Sequence, residues 1–367
     1  MYSSPLNRQS IVEKISNEIL GSHEPHISYV KLDPFLRHKR ILVTGAGGFI
    51  GQKLVDQIIS HSPGCLLAFD HQEFGLHQIQ TKYELGKSKL KSKPQLILGS
   101  TLDQLLLENI FETYKPELIF HAAAYKHVHL VQENPHVGYI NNVIGTKNVA
   151  QMAIDHCASH LVLVSSDKAI EPVGAMGMSK HLSELIIFYM AKKHSMTDFL
   201  TVRFGNVFGS SGSVINKILD QLFAGNPITI TNSNAERFFM SANKAIDLTL
   251  QSTQLYRQSG DILAFDMGAP HQILQLIHQV IGYYTLLSNT KITPCIKEIG
   301  LYPGERLREP CLINGTSIAT EHPKIYRQSQ NCKHPEFTFW NLIDSLEKRW
   351  NLRQDFQDIL DQLLLRN

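Results

Sequence analysis

The stretch Thr44-Gly45-Ala46-Gly47-Gly48-Phe49-Ile50-Gly51 decides the fold of this chain. It follows the short apolar run Ile41-Leu42-Val43 and opens a helical pattern that runs from Phe49 to His61. A second apolar run, Leu66 to Phe69, ends in Asp70. Strand, glycine turn, helix, then a strand closed by an acid is the order in which a dinucleotide is held. The glycines let backbone approach a pyrophosphate, and the amides at the helix N-terminus meet its charge. Gly45, Gly48 and Gly51 give G-x-x-G-x-x-G, a spacing that is weak alone and gains its meaning from the flanking elements.

Working outward, further strands are expected at Gln95–Leu98, Leu118–His121, Leu161–Val164 and Leu200–Arg203. Helices fit between them, notably Val143–His156 and Gly177–His194. This alternation predicts an α/β fold, a Rossmann-type doubly wound parallel sheet, with a smaller C-terminal substrate lobe. The expected organisation is a leader over 1–38 with a helix from Ile11 to Leu20, closed by Gly21. A linker with Pro25 and Pro34 leads into a dinucleotide-binding domain over 39–205, joined by 243–268. The lobe takes 206–242 and 269–330, and Pro227–Thr231 and Asp261–Asp266 are expected as separate strands. A helical tail over 331–367 includes an amphipathic helix from Phe356 to Leu365.

The 367 residues are 43% hydrophobic and 19% charged with a net charge of +2, which gives no argument for nucleic acid. Five widely spaced cysteines without a C-x-x-C pair fit a reducing compartment. No apolar run approaches the ~20 residues of a membrane helix, and the first residues lack a signal-peptide core. The expected location is the cytoplasm, with no membrane span and no nucleic-acid partner.

Asp70 is positioned to accept adenosine ribose hydroxyls and would repel a 2′-phosphate. The following His71-Gln72 offers no arginine for one, so NAD is favoured over NADP. His127 and His129 lack a third ligand at metal-binding spacing, so no metal is expected. Ser165-Ser166-Asp167-Lys168 and Met176-Gly177-Met178-Ser179-Lys180 form the second informative region. A carboxyl beside an amine can divide acid and base work where partial burial brings their proton affinities together.

These motifs are similar to those of the extended short-chain dehydrogenases/reductases, in the CapD-like polysaccharide-biosynthesis branch of UDP-N-acetylglucosamine 4,6-dehydratases. The similarity includes His121-Ala122-Ala123-Ala124-Tyr125-Lys126-His127-Val128, Asn142-Val143-Ile144-Gly145-Thr146 and Arg203-Phe204-Gly205-Asn206-Val207. It continues through Gly212-Ser213-Val214-Ile215, Arg237-Phe238-Phe239-Met240, Asp266-Met267-Gly268 and Pro303-Gly304-Glu305. The resemblance implies tightly bound NAD that takes a hydride from C4 and returns it to C6 after water has left C5–C6. It implies a cofactor site of Gly45, Gly47, Gly48, Phe49, Ile50, Gly51, Asp70, Ala122, Ala123, Ala124, Asn142 and Lys180. It implies catalytic roles for Asp167 as acid at the leaving hydroxyl and Lys168 as base at C5, with the swapped assignment open. Ser166 is expected near O4, Lys180 at the nicotinamide ribose, and Met176 as pocket lining. A UDP-sugar would meet Lys126, His127, Asn206, Arg237 and Glu305, with Arg237 clamping phosphate unless it pairs with neighbouring Glu236.

Three departures stand out. Met176 occupies the position of the superfamily's Tyr and exchanges no proton; Met occurs there in some relatives of the branch. The group that deprotonates the 4-hydroxyl is left open among Asp167, Lys168 and a water. Tyr302 stands where an Arg is expected at the diphosphate, with Arg306 or Arg308 able to compensate, and Ser100 replaces an expected Asp after Gly99. Larger relatives carry a membrane segment ahead of this domain; here a short polar leader is expected instead. The alternatives are a C5-inverting dehydratase, a 4-epimerase (disfavoured by Met176), or a non-catalytic NAD or nucleotide-sugar sensor. A homo-oligomer is implied, pairing through Val143–His156 and Gly177–His194.

Overall fold

The computed structural model describes residues 8–20, 30–84, 93–193, 196–288, 293–313, 315, 317–328 and 335–349. The expected helix Phe356–Leu365, the Gly21 cap, Pro25 and His194 lie outside them. The main sheet has nine strands: β1 (Arg40–Thr44), β2 (Cys65–Asp70), β3 (Gln95–Leu98), β4 (Leu118–His121), β5 (His160–Val164), β6 (Asp198–Arg203), β7 (Asp261–Phe265), β8 (Ile318–Ala319) and β9 (Ile325–Gln328). Their spatial order is β8-β9-β7-β6-β5-β4-β1-β2-β3. From β3 to β7 every pairing is parallel, while β9 and β8 close the far edge antiparallel. The chain reverses its winding between β1 and β4, so a crevice forms beyond their carboxyl ends, where open α/β sheets bind ligands.

Strand side chains alternate between two apolar layers, as period-two geometry requires. Leu42, Leu67, Phe69, Ile119, Leu161 and Phe199 face one layer. Ile41, Val43, Leu66, Phe120, Val162 and Val202 face the other. Both faces are buried, which explains why these strands read as continuous apolar runs. The first layer is covered by helices Gln104–Tyr114, Gly145–Asp155 and Ala175–Lys193; the second by Phe49–Ser60, Glu73–Glu84 and Ala242–Ser252.

Several expectations shift in the structure. The helix expected from Val143 begins with a π-helical turn, Ile140–Ile144, before Gly145–Asp155. Asp261–Phe265, expected as a separate strand, pairs with β6 inside the main sheet. Ile325–Gln328, expected in the lobe, returns to the main sheet and pairs with β7. The lobe itself is built on short ladders: Asn206–Val207 with Phe239–Met240, Glu236–Arg237 with His271–Gln272, and Ile228–Ile230 with Ile296–Glu298. The helix expected in a detached leader spans Arg8–Leu20, and its Ile11 and Ile15 are fully buried in the lobe's core beside Phe208 and Ile218.

The expected pairing face, on helices Gly145–Asp155 and Ala175–Lys193, also carries a later helix of the same chain. Helix Glu336–Arg349 lies across it, with Phe339 4.7 Å from Tyr189 between ring centroids. Lys147 meets Asp344 and Glu347, and Lys193 meets Glu336. Helix Glu336–Arg349 thus covers part of the surface expected to meet a second copy. Among the described residues, no helix is long and apolar enough to cross a membrane.

Candidate functional site

The glycine turn sits between β1 and helix Phe49–Ser60. Gly45 has φ +70°, and a Cβ there would lie 2.5 Å from Ala123 N and 2.7 Å from Ala122 O. Only glycine fits this left-handed position against the end of β4. Gly48 caps the helix without a side-chain hydrogen bond, so its first-turn amides are left for another acceptor. Asp70 closes β2, is 7% exposed, and accepts from Gly47 N and Gln72 N, both at 2.8 Å. Each carboxylate oxygen retains a lone pair for a ribose hydroxyl. Gly75, missed in the sequence, is needed here because a Cβ on it would strike Gly47 O at 2.4 Å.

Asn142, expected at the cofactor, is buried against the loop that follows β4. It is 1% exposed, accepts from Tyr125 N at 2.7 Å and donates to Tyr125 O at 3.0 Å and Ser179 Oγ at 2.9 Å. Its amide therefore fixes the loop from Ala122 to His127 onto helix Ala175–Lys193. His121, whose role the sequence concealed, bridges Thr44 Oγ1 at 2.6 Å and Thr146 Oγ1 at 3.0 Å. Burial, aided by Lys180, pushes its imidazole down to about 3, so it is neutral and structural.

Beyond β5, Asp167 is fully buried and Ser166 Oγ donates to its Oδ1 at 2.8 Å. Lys168 Nζ donates to the same oxygen at 3.0 Å. Oδ2 has no hydrogen-bond partner and lies against Gly205, where a Cβ would come within 2.8 Å of it. Lys168 also stands 3.4 Å from Glu309 Oε1, a residue the sequence did not single out. Burial alone would lower the Lys168 ammonium, but Asp167 and Glu309 outweigh it and raise its proton affinity. Lys180 donates to Val164 O at 2.7 Å, and burial lowers it to about 8 against the opposing pull of Glu184. Met176 lines a small cleft with Lys168, Gly177, Gly304, Arg306 and Glu309.

The residues expected on the sugar nucleotide are brought together in part. Arg237 donates to Glu305 Oε1 and to the carbonyls of Arg306, both at 2.7 Å, Glu236 at 2.8 Å and Leu307 at 3.0 Å. The two expected contacts, Arg237 and Glu305, therefore hold each other. Glu236 pairs with Arg308 at 3.2 Å, not with Arg237. Asn206 donates to Phe238 O at 3.0 Å. The His127 ring lies where a Cβ on Gly212 would fall, and burial lowers the proton affinity of both His127 and Lys126. Tyr302 packs against His129 at 5.5 Å between rings. Among the described residues no group of three metal-ligating side chains gathers.

Comparison with known proteins places this geometry in context. Residues 41–330 match the family model described as polysaccharide biosynthesis protein. The capsular polysaccharide biosynthesis protein CapD of Staphylococcus aureus is 35% identical over 316 residues, which cover 84% of this chain and 51% of CapD. The chain thus spans about half the length of that relative. Among solved structures, Pen from Bacillus thuringiensis is 27% identical with a TM-score of 0.71, over 80% of this chain and 90% of Pen. DesIV from Streptomyces venezuelae, a dTDP-glucose 4,6-dehydratase solved with NAD bound, shares the fold at 20% identity and a TM-score of 0.61, over 73% of this chain and 87% of DesIV.

Proposed function

Because the chain belongs to the polysaccharide biosynthesis protein family, we propose that it is a nucleotide-sugar 4,6-dehydratase acting on UDP-N-acetylglucosamine with retained NAD. The observation that carries this reading is the Asp167–Lys168 pair at the carboxyl end of β5, with Asp167 fully buried, Lys168 half-buried, a 3.0 Å contact and one unpartnered carboxylate oxygen among the described residues. A binding module has no need for a carboxylate held out of water beside a lysine, since burying that ion costs several kcal/mol. Met176 in the cleft beside it leaves proton exchange to this pair.

The cofactor fits the residues present. The Gly45 turn admits a close backbone approach, the uncapped helix end suits a pyrophosphate, and Asp70 suits a ribose diol. When bound, NAD supplies a hydride acceptor and returns the hydride later. Lys180 holds the nicotinamide ribose from β5's end, and Ser166 orients the sugar near O4. Asp167 and Lys168 hold between them the proton that C5 and the C6 oxygen exchange. Arg306, Lys126 and Arg237 supply positive charge for a diphosphate; Arg237 reaches one only when its bond to Glu305 opens.

The test is incubation of purified protein with UDP-N-acetylglucosamine in deuterated water, followed by NMR of the sugar. A 4-keto-6-deoxy product carrying deuterium at C5 is expected, and its configuration reads directly. Binding of the sugar nucleotide with no such product would overturn the proposal.

A further inference from the structure

We infer that Glu309 is a positioning residue that keeps the shared proton of the Asp167–Lys168 pair on Lys168. The inference rests on the dehydratase reading for its consequence and on geometry for its substance. Lys168 Nζ lies between two carboxylates, Asp167 Oδ1 at 3.0 Å and Glu309 Oε1 at 3.4 Å. Asp167 comes from the turn after β5, whereas Glu309 comes from the segment that roofs the cleft with Gly304 and Arg306. Glu309 is 9% exposed, so water screens its charge little.

The pair has two proton arrangements of equal total charge. In one, Lys168 is an ammonium and Asp167 a carboxylate. In the other, the proton has moved from Nζ to Oδ1, leaving an amine and a carboxylic acid. In the second, Lys168 is the base for the C5 proton and Asp167 the acid for the C6 hydroxyl; in the first these two roles are swapped. A second carboxylate beside the ammonium favours the first arrangement, and Arg237, whose Nε is 3.9 Å from Glu309 Oε1, moderates it. The charged groups facing Lys168 are therefore Asp167, Glu309, Arg237 and Arg306. A sugar entering the cleft contacts Glu309 and Lys168 together, and by separating them it releases the proton to Asp167. The roofing segment is anchored for this role: Gly304 packs on Gly174, and Arg306 donates to Glu171 O.

The test reads the lysine side chains of the full chain, as purified, by carbon NMR without added sugar nucleotide, assigning Lys168 by its loss in Lys168→Arg. In the unsubstituted protein Lys168 is expected to titrate above the exposed lysines. In Glu309→Gln its midpoint should fall by about 1 pH unit or more, and Glu309→Asp should restore most of the shift. An unchanged midpoint in Glu309→Gln would overturn the inference. So would a Lys168 midpoint below the exposed lysines in the unsubstituted protein, a result that stands even if the variant does not fold. Absence of sugar turnover would strike the dehydratase reading alone, because this titration uses no sugar nucleotide.

Discussion

Arg203 grips both carboxylate oxygens of Glu184, Nε on Oε1 at 2.9 Å and Nη2 on Oε2 at 2.5 Å. Ser165 Oγ donates to the same Oε1, so this buried pair lies directly under the segment carrying Ser166, Asp167 and Lys168. Arg203 reaches on to Gln328 Oε1 at 2.8 Å, tying β6 to the antiparallel strand β9. The turn carrying Ser166, Asp167 and Lys168 thus rests on a charged foundation that only the folded chain assembles.

Glu184→Ala should leave the Arg203 guanidinium buried and unpaired, which costs about 3–5 kcal/mol. Chemical denaturation should show a loss of that order, and a loss under 1 kcal/mol would mean that the pair contributes little.

Acid should unfold the protein through two groups whose shifts act in the same sense. Burial alone would raise Glu184, but Arg203 and Ser165 hold its carboxyl below the ordinary value of 4.5. Its contribution is complete above that value and disappears as pH falls through the lowered one. His121, lowered by burial from 6.5 to about 3, is likewise stabilising when neutral and opposes folding as pH falls from 6.5 toward 3. Thermal melts should therefore hold steady above pH 6.5 and decline below it, and His121 resonances should not titrate between pH 5 and 8.

Asp167→Asn should lower turnover by roughly 10²–10⁴-fold, the range for loss of a positioned acid or base, while sugar-nucleotide binding measured by calorimetry persists. Equal losses of binding and turnover would assign Asp167 to ligand affinity alone.

Gly304 has φ +80°, and a Cβ on Gly174 opposite would come within 2.8 Å of its Cα. Gly174→Ala should push the roofing segment away from the cleft, weakening sugar-nucleotide affinity while the melting temperature falls by only a few degrees. Calorimetry beside a thermal melt separates the two effects.

Phe339→Ala should strip helix Glu336–Arg349 from Tyr189 and cost about 3–5 kcal/mol, since Phe339 is fully buried. Light scattering on the same variant tests the uncovered face: association is expected there, and a variant still in the parent's state would show that the face does not pair.

Local pattern carried most of the fold. The runs at β1 to β6 were legible because strands buried on both faces must be apolar throughout, and the glycine turn because φ +70° at Gly45 excludes other residues. Asp167, Lys168, Met176 and Lys180 were singled out by a family resemblance over one short segment, and helix Ala175–Lys193 brings Lys180 to the end of β5. Other features depend on partners far apart in the chain. Glu309 stands 141 residues beyond Lys168 (309 − 168) and meets it only because the lobe folds back over β5. Arg237 and Glu305 read as separate ligand contacts until the ladder Glu236–Arg237 and the roofing segment placed them 2.7 Å apart. Asn142 read as a cofactor contact, whereas its amide is saturated by Tyr125 and Ser179. Residue type and short spacing set which side chains can carry charge, turn or burial; which buried charge meets which is decided by desolvation, since a buried ion must find a partner wherever the fold supplies one.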